Sequence, residues 1–279
     1  MRFRPLPEIF ILGAMRAGTT FLHTALGKHP AVLLPTIKEP QFFSLHWPEG
    51  LSAYRKQLPR RWPGWAYAVA GKRRPLALDS SPYYLFHPQA PFRIRQLLGE
   101  SIKAIVILRE PGERAWSHYR LNIARGREHL GFLDALAREN ERLAGEDERL
   151  AAGREALDAP HQLLSYAARG RYAEQLRHWW TQFPRERFLL LQSTELFSHP
   201  QATLDRVYRF LGLPSASVPG DLVRNAAPYL PMPARAREEL DRIYEAPNRA
   251  LFDLTGISFG RTAIPAPGPS PEPSLHGMP

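Results

Sequence analysis

The chain contains no cysteine. That excludes a disulfide framework, a thiolate zinc site, an iron–sulfur cluster and a cysteine nucleophile. Lysine is scarce too: it stands only at positions 28, 38, 56, 72 and 103, so nearly all the positive charge is arginine. Long apolar runs are also missing. The first run, Ile9 to Leu12, follows Arg2 and Arg4 in the manner of a leader peptide. It is short, Arg16 soon interrupts it, and no small-residue cleavage site follows a longer apolar stretch. No run approaches the roughly 20 apolar residues of a spanning helix. The expectation is a soluble cytoplasmic protein with no integral membrane segment. No His/Asp/Glu cluster has the spacing of a metal-ligand set, so no metal is expected.

What is present is an ordinary globular composition, with 44% hydrophobic and 23% charged residues. A chain of 279 residues is ample for a buried core. Its formal charge of +10 comes from 37 basic and 27 acidic residues. Arginine forks suit phosphate, sulfate and carboxylate groups. Composition alone does not choose among a nucleic acid, a nucleotide and an acidic surface, and the base composition of the gene also yields an arginine excess. No aromatic–basic recognition motif is visible, so no nucleic-acid partner is expected. Residues 1–263 read as a single domain. Residues 264–279 are rich in Pro, Gly and Ser and read as a disordered tail.

Strand-like and helix-like segments alternate in the first half. Ile9 to Gly13, Ala31 to Leu34, Leu76 to Asp79 and the β-branched Ile102 to Leu108 read as strands. Gly18 to Gly27, Pro91 to Leu98 and Gly112 to Arg125 read as helices, the last begun by Pro111, whose missing N–H costs little in a first turn. The C-terminal half is helix-rich: Phe132 to Leu150, His161 to Phe183, Pro200 to Leu211 and Ala234 to Leu254, with one further strand at Arg187 to Gln192. This alternation implies an α/β fold with parallel βαβ units.

Three segments carry chemistry. In Gly13-Ala14-Met15-Arg16-Ala17-Gly18-Thr19-Thr20 a strand enters a glycine-bounded turn that opens a helix. Glycines let the backbone approach an anion, and the first N–H groups of the helix point at it. The two glycines have the spacing of the nucleotide-triphosphatase loop, but Thr19 stands where that loop has lysine, and the cation, Arg16, lies inside the turn. A plain strand–turn–helix also fits this segment. The second segment runs from Arg109 to Tyr119. Arg109 ends a strand, where ligands sit in open α/β sheets, and Ser117 lies on the helix that returns from that edge. The two can converge on one phosphate; equally, Arg109 can pair with Glu113. The third is Lys38-Glu39-Pro40-Gln41-Phe42-Phe43. Glu39, held out of helical geometry by Pro40, is a candidate base with Phe42 and Phe43 beneath it. A surface pair with Lys38 is the simpler reading.

Together these pieces resemble the PAPS-dependent sulfotransferases, in particular the group with the heparan sulfate N- and 3-O-sulfotransferases and their bacterial relatives. The resemblance rests on Arg16-Ala17-Gly18-Thr19, His29-Pro30, Glu39 to Phe43, and the R-x-P-x-x-R-A-x-S-x-Y pattern of Arg109 to Tyr119. It continues through Gly170-Arg171-Tyr172 with Leu176 and Trp179, Glu195-Leu196 with Pro200, and Phe210-Leu211-Gly212, over residues 8–258. It implies a P-loop-containing three-layer α/β/α sandwich. It further implies sulfuryl transfer from PAPS (3′-phosphoadenosine 5′-phosphosulfate) to a hydroxyl or amine of a carbohydrate, lipid or other small molecule, with release of PAP and no metal. In that reading Arg16, Ala17, Gly18, Thr19 and Thr20 bind the 5′-phosphosulfate. Arg109 and Ser117 bind the 3′-phosphate, and Glu39 deprotonates the acceptor. The family usually has lysine where this chain has Arg16, and the lysine stabilises the bridging oxygen as it leaves. Arginine is a fixed cation there. The Glu-Lys-[ST]-Pro of the heparan enzymes is replaced by Asp79-Ser80-Ser81-Pro82, and Arg224-Asn225 stand in for a late nucleotide-binding loop. Trp47 to Trp65 and Phe132 to Pro160 are expected to shape the acceptor pocket. A small-molecule P-loop kinase and a non-catalytic protein of the same fold are the alternatives.

Overall fold

A computed structural model describes residues 4–59, 74–218 and 231–260. Its centre is one five-stranded sheet built from β1 (Ile9–Gly13), β2 (Val32–Leu33), β3 (Leu76–Ser80), β4 (Lys103–Leu108) and β5 (Phe188–Gln192). The order is β2-β3-β1-β4-β5, and all pairings are parallel. Parallel neighbours need helical crossovers that cover both faces. The central strands show the result: Ile9 to Leu12 and Ala104 to Leu108 are all fully buried. Continuous apolar runs such as Ala-Ile-Val-Ile-Leu are what such a position demands.

The crossovers include α1 (Thr19–Gly27), α2 (Gly50–Gln57), α3 (Ala90–Leu98) and α4 (Pro111–Ala124). Chain direction across the sheet reverses around β1: β2 and β3 lie to one side, β4 and β5 to the other. The carboxyl ends of β1 and β4 therefore border the crevice where open α/β sheets take their ligands. Register breaks at this edge. Ile11 pairs with Ile105, but Gly13 pairs with Val106, and Ala14 N–H donates to Ile107 O at 2.7 Å. A side chain at Gly13 would meet Leu85 Cβ at 2.7 Å, so glycine is required where the strand turns away.

The C-terminal half departs from the expected long helices. Phe132 to Leu150 is three short helices, α5 (Phe132–Ala137), α6 (Glu139–Leu143) and α7 (Glu146–Ala151). Gly145 adopts φ 77°, and Glu139 turns inward to accept from Ala167 and Ala168 N–H at 2.6 and 2.7 Å. His161 to Phe183 also divides, into α8 (Pro160–Leu163), a 3₁₀ turn at Ala168–Gly170 and α9 (Tyr172–Trp180). Side chains take the carbonyls that a continuous helix would use: Asn122 Nδ2 bonds Leu163 O at 2.6 Å, and Arg169 Nη2 bonds His161 O at 3.2 Å. After β5 come α10 (Ser193–Ser198), α11 (Pro200–Leu211) and α12 (Ala234–Thr255). A second apolar cluster, including Ala115, Phe132, Tyr166, Leu240 and Tyr244, binds α12 to α4 and α5.

Candidate active site

The loop after β1 leads into α1. Gly18 caps α1 in a left-handed conformation with φ 105° and gives no side-chain cap bond, and no acidic residue stands in the first turn. First-turn N–H groups and the positive end of a helix dipole favour an anion. Ala17 is fully buried, Thr19 is buried and Thr20 is exposed. Gly18 is tightly enclosed: a side chain there would meet Leu196 Cδ2 at 3.0 Å and Phe197 Cζ at 3.1 Å.

Arg16 sits at φ 70° in the turn, with its side chain exposed. Its Nε donates to Ser117 Oγ at 2.9 Å, while Arg109 Nη1 donates to Arg16 O at 3.1 Å. The structure thus gathers Arg16, Arg109 and Ser117 from the ends of β1 and β4 and from α4. Arg109 also faces Glu113, at 3.5 Å, the pairing that the sequence offered as its other reading. Its carbonyl accepts from Tyr172 OH at 2.8 Å. Glu110 caps α4 through Gly112 and Glu113 N–H at 2.8 and 2.7 Å. Arg237 of α12 then pairs with both Glu110, at 2.8 Å, and Glu113.

The Arg16 guanidinium is held below its ordinary pKa, first by desolvation and then by the charges of Arg109 and Arg125. Mutual repulsion of this kind marks a place suited to a polyanion. The charge of Arg125 was not expected to reach Arg16. Its signal was spacing: Ser117, Leu121 and Arg125 follow at four-residue steps on one face of the helix and its C-cap.

Glu39 comes from the segment after β2. Phe42 and Phe43 anchor that segment: Phe42 stacks on Tyr54 with centroids 4.4 Å apart, and Phe43 meets Phe10 edge-on at 5.9 Å. Glu39 and Gln41 adopt φ 61° and 51°, a tight reversal around Pro40. Glu39 is therefore left-handed, not extended as a pre-proline residue usually is. Gln41 N–H donates to Ser81 Oγ at 3.1 Å, and Ser81 donates to Asp79 Oδ1 at 2.7 Å. Asp79 is fully buried and accepts also from Tyr54 OH at 2.7 Å and Tyr84 OH at 3.1 Å. Burial raises its pKa to about 6, against the opposing pull of its Ser81, Tyr54 and Tyr84 hydrogen bonds; the charge of Glu39 raises it further.

Lys38 joins the two halves of the site. Its Nζ donates to Thr20 Oγ1 at 2.7 Å and to Glu39 Oε1 at 3.0 Å. Sequence reasoning treated it only as a counter-ion to Glu39. Arg169 was also missed. It is buried below the loop, bonding Ser165 Oγ at 2.7 Å and approaching Met15 Sδ at 3.2 Å, and its carbon Cζ lies 4.8 Å from the Tyr83 ring centroid. Burial lowers its pKa to about 10, which leaves it a cation at neutral pH. Arg224 and Asn225 lie outside the described residues, as do residues 60–65 and the tail 264–279. Among the described residues no helix is long and apolar enough to cross a membrane.

Comparisons agree with this architecture. A human protein named heparan sulfate glucosamine 3-O-sulfotransferase 3B1 is 30% identical over 210 residues, covering 75% of this chain and 47% of its own length. This chain thus spans about half the length of that relative. Human heparan sulfate glucosamine 3-O-sulfotransferase 6 is 26% identical over 281 aligned positions, covering 92% of this chain and 74% of its own. A crystal structure of a sulfotransferase from Alicyclobacillus acidocaldarius superposes with a TM-score of 0.68 at 26% identity, covering 91% of this chain and 98% of the other. Residues 6–229, which hold the loop after β1, Glu39 and the Arg109–Ser117 segment, match the family described as the sulfotransferase domain, and the chain belongs to that family.

Proposed function

We propose that the protein transfers the sulfuryl group of PAPS to a hydroxyl or amine of a carbohydrate or other small-molecule or lipid acceptor, and releases PAP. The observation that carries this reading is the distance from base to loop: one ammonium separates the Glu39 carboxylate from Thr20 at the start of α1. A carboxylate this close to an anion-binding loop is placed to take a proton beside a bound phosphosulfate.

The steps follow from the named groups. Arg109 and Ser117 hold the 3′-phosphate. Arg16, as a fixed cation, and the loop of Ala17, Gly18, Thr19 and Thr20, through its N–H groups and the threonine hydroxyls, hold the 5′-phosphosulfate. Glu39 accepts the proton of the attacking O–H or N–H. A bond forms from that oxygen or nitrogen to sulfur, the bond from sulfur to the bridging oxygen breaks, and its electron pair stays on the 5′-phosphate of PAP. Such a transfer needs mainly positioning and charge stabilisation. Trp47 and the segment around Phe132 border the acceptor side in this reading.

The test is incubation with labelled PAPS and a cell extract, followed by mass spectrometry for an added sulfate. Stabilisation in a thermal shift by PAP but not by Mg-ATP is expected. Stabilisation by Mg-ATP alone would instead support a kinase, and nucleotide binding without any labelled product would support a non-catalytic protein of this fold.

A further inference from the structure

Arg16 Nε is bonded to Ser117 Oγ, and Arg16 O accepts from Arg109. The ammonium found on Thr20 is that of Lys38, 2.7 Å from Oγ1. We infer that Lys38 is a cation that meets the charge developing on the departing 5′-phosphate, on the Thr20 side of the loop.

Three properties of Lys38 suit it to that place. An ammonium has three N–H donors. Two are directed to Thr20 and Glu39, and one remains for a phosphosulfate oxygen. The side chain is about one-third exposed, so a ligand reaches it without displacing protein atoms. Its neighbour His23 is held at a pKa of about 4, by burial first and by the charge of Lys38 second. The imidazole is therefore neutral beside Lys38. The link to Glu39 adds a consequence. When Glu39 takes the acceptor proton its charge vanishes, and Lys38 is released from that attraction as the leaving phosphate gains charge. Base and leaving-group cation thus act as one pair. No proton passes from Lys38 in this scheme.

The inference rests on the proposed use of PAPS, and a binding experiment separates the two without an acceptor. Dissociation constants are measured for PAP, adenosine 5′-phosphate and adenosine 3′-phosphate with the wild type, Lys38→Met, Lys38→Arg and Arg16→Ala. Loss of one charge-assisted hydrogen bond weakens binding by about 10- to 100-fold. Lys38→Met is expected to lose this much toward PAP and adenosine 5′-phosphate and to keep the wild-type constant for adenosine 3′-phosphate. Lys38→Arg recovers part of the loss. Arg16→Ala, which removes the other loop cation, also loses affinity toward PAP and adenosine 5′-phosphate and is the control for that end of the site. Unchanged binding of both 5′-phosphates by Lys38→Met, or an equal loss toward all three ligands, overturns the assignment. If the wild type binds none of the three, the PAPS reading itself fails and the assignment falls with it. Lys38 is on the surface, so matching thermal melts of the variants exclude misfolding as the cause.

Discussion

Arg16 and Ser117, 101 positions apart in the chain, meet through a 2.9 Å hydrogen bond from Nε to Oγ. With Arg109 holding the Arg16 carbonyl, the bond fixes the glycine turn after β1 against the helix after β4. Cations and donors from three elements are thereby held together, and such preorganisation lowers the cost of binding.

Replacing Glu39 by Gln should leave PAP affinity within a few-fold of wild type and lower turnover by roughly 10²- to 10⁴-fold, the usual contribution of a positioned base. Stopped assays with labelled PAPS and isothermal titration with PAP measure the two quantities separately. Retention of full turnover would remove Glu39 from the mechanism.

Arg109→Ala should weaken PAP binding more than it weakens binding of adenosine 5′-phosphosulfate, which lacks the 3′-phosphate. Competition against a fluorescent nucleotide reads both constants. Equal losses would mean that Arg109 acts through the loop carbonyl it holds, not through the ligand.

Asp79 should make stability fall as pH rises through the range near 6. Its pKa is about 6 when folded and 3.8 by reference, so the folded chain keeps a proton that the unfolded chain releases between those values. The stabilising contribution is complete below the lower value and lost above the upper one. Comparing urea unfolding of wild type and Asp79→Asn from about pH 4 to pH 7 isolates this group. The wild type should lose up to about 3 kcal/mol relative to the variant over that range. A difference that grows with pH would show that hydrogen bonds from Tyr54, Ser81 and Tyr84 outweigh burial.

Gly18→Ala should destabilise the fold by about 1–3 kcal/mol, since alanine is strained at positive φ and its methyl meets Leu196 and Phe197. Urea unfolding gives the value directly. A cost near zero would mean that the loop and α10 shift together at little expense.

Most of the sheet was legible because buried parallel strands need continuous apolar runs, and Ile9 to Gly13 and Ile102 to Leu108 have them; the strand order was not. The glycine turn and the helix opened by Pro111 were legible because backbone rules speak there. Phe132 to Leu150 failed because its helical periodicity competes with tertiary bonds: Glu139 turns to two loop N–H groups, which periodicity does not reveal. Lys38 was hidden for a similar reason. A lysine next to a glutamate reads as a local pair, and only the fold shows that its second partner is Thr20.

The hold of Arg237 on Glu110 and Glu113 has a consequence in time. Those carboxylates begin α4, which carries Ser117, yet their cation arrives more than a hundred residues later in synthesis. A nascent chain that has completed its sheet still lacks the clamp at the start of α4. The start of α4 is therefore secured only once α12 docks. Amide exchange at Gly112 and Glu113 should quicken in Arg237→Ala; unchanged protection there would show that the helix start matures without α12.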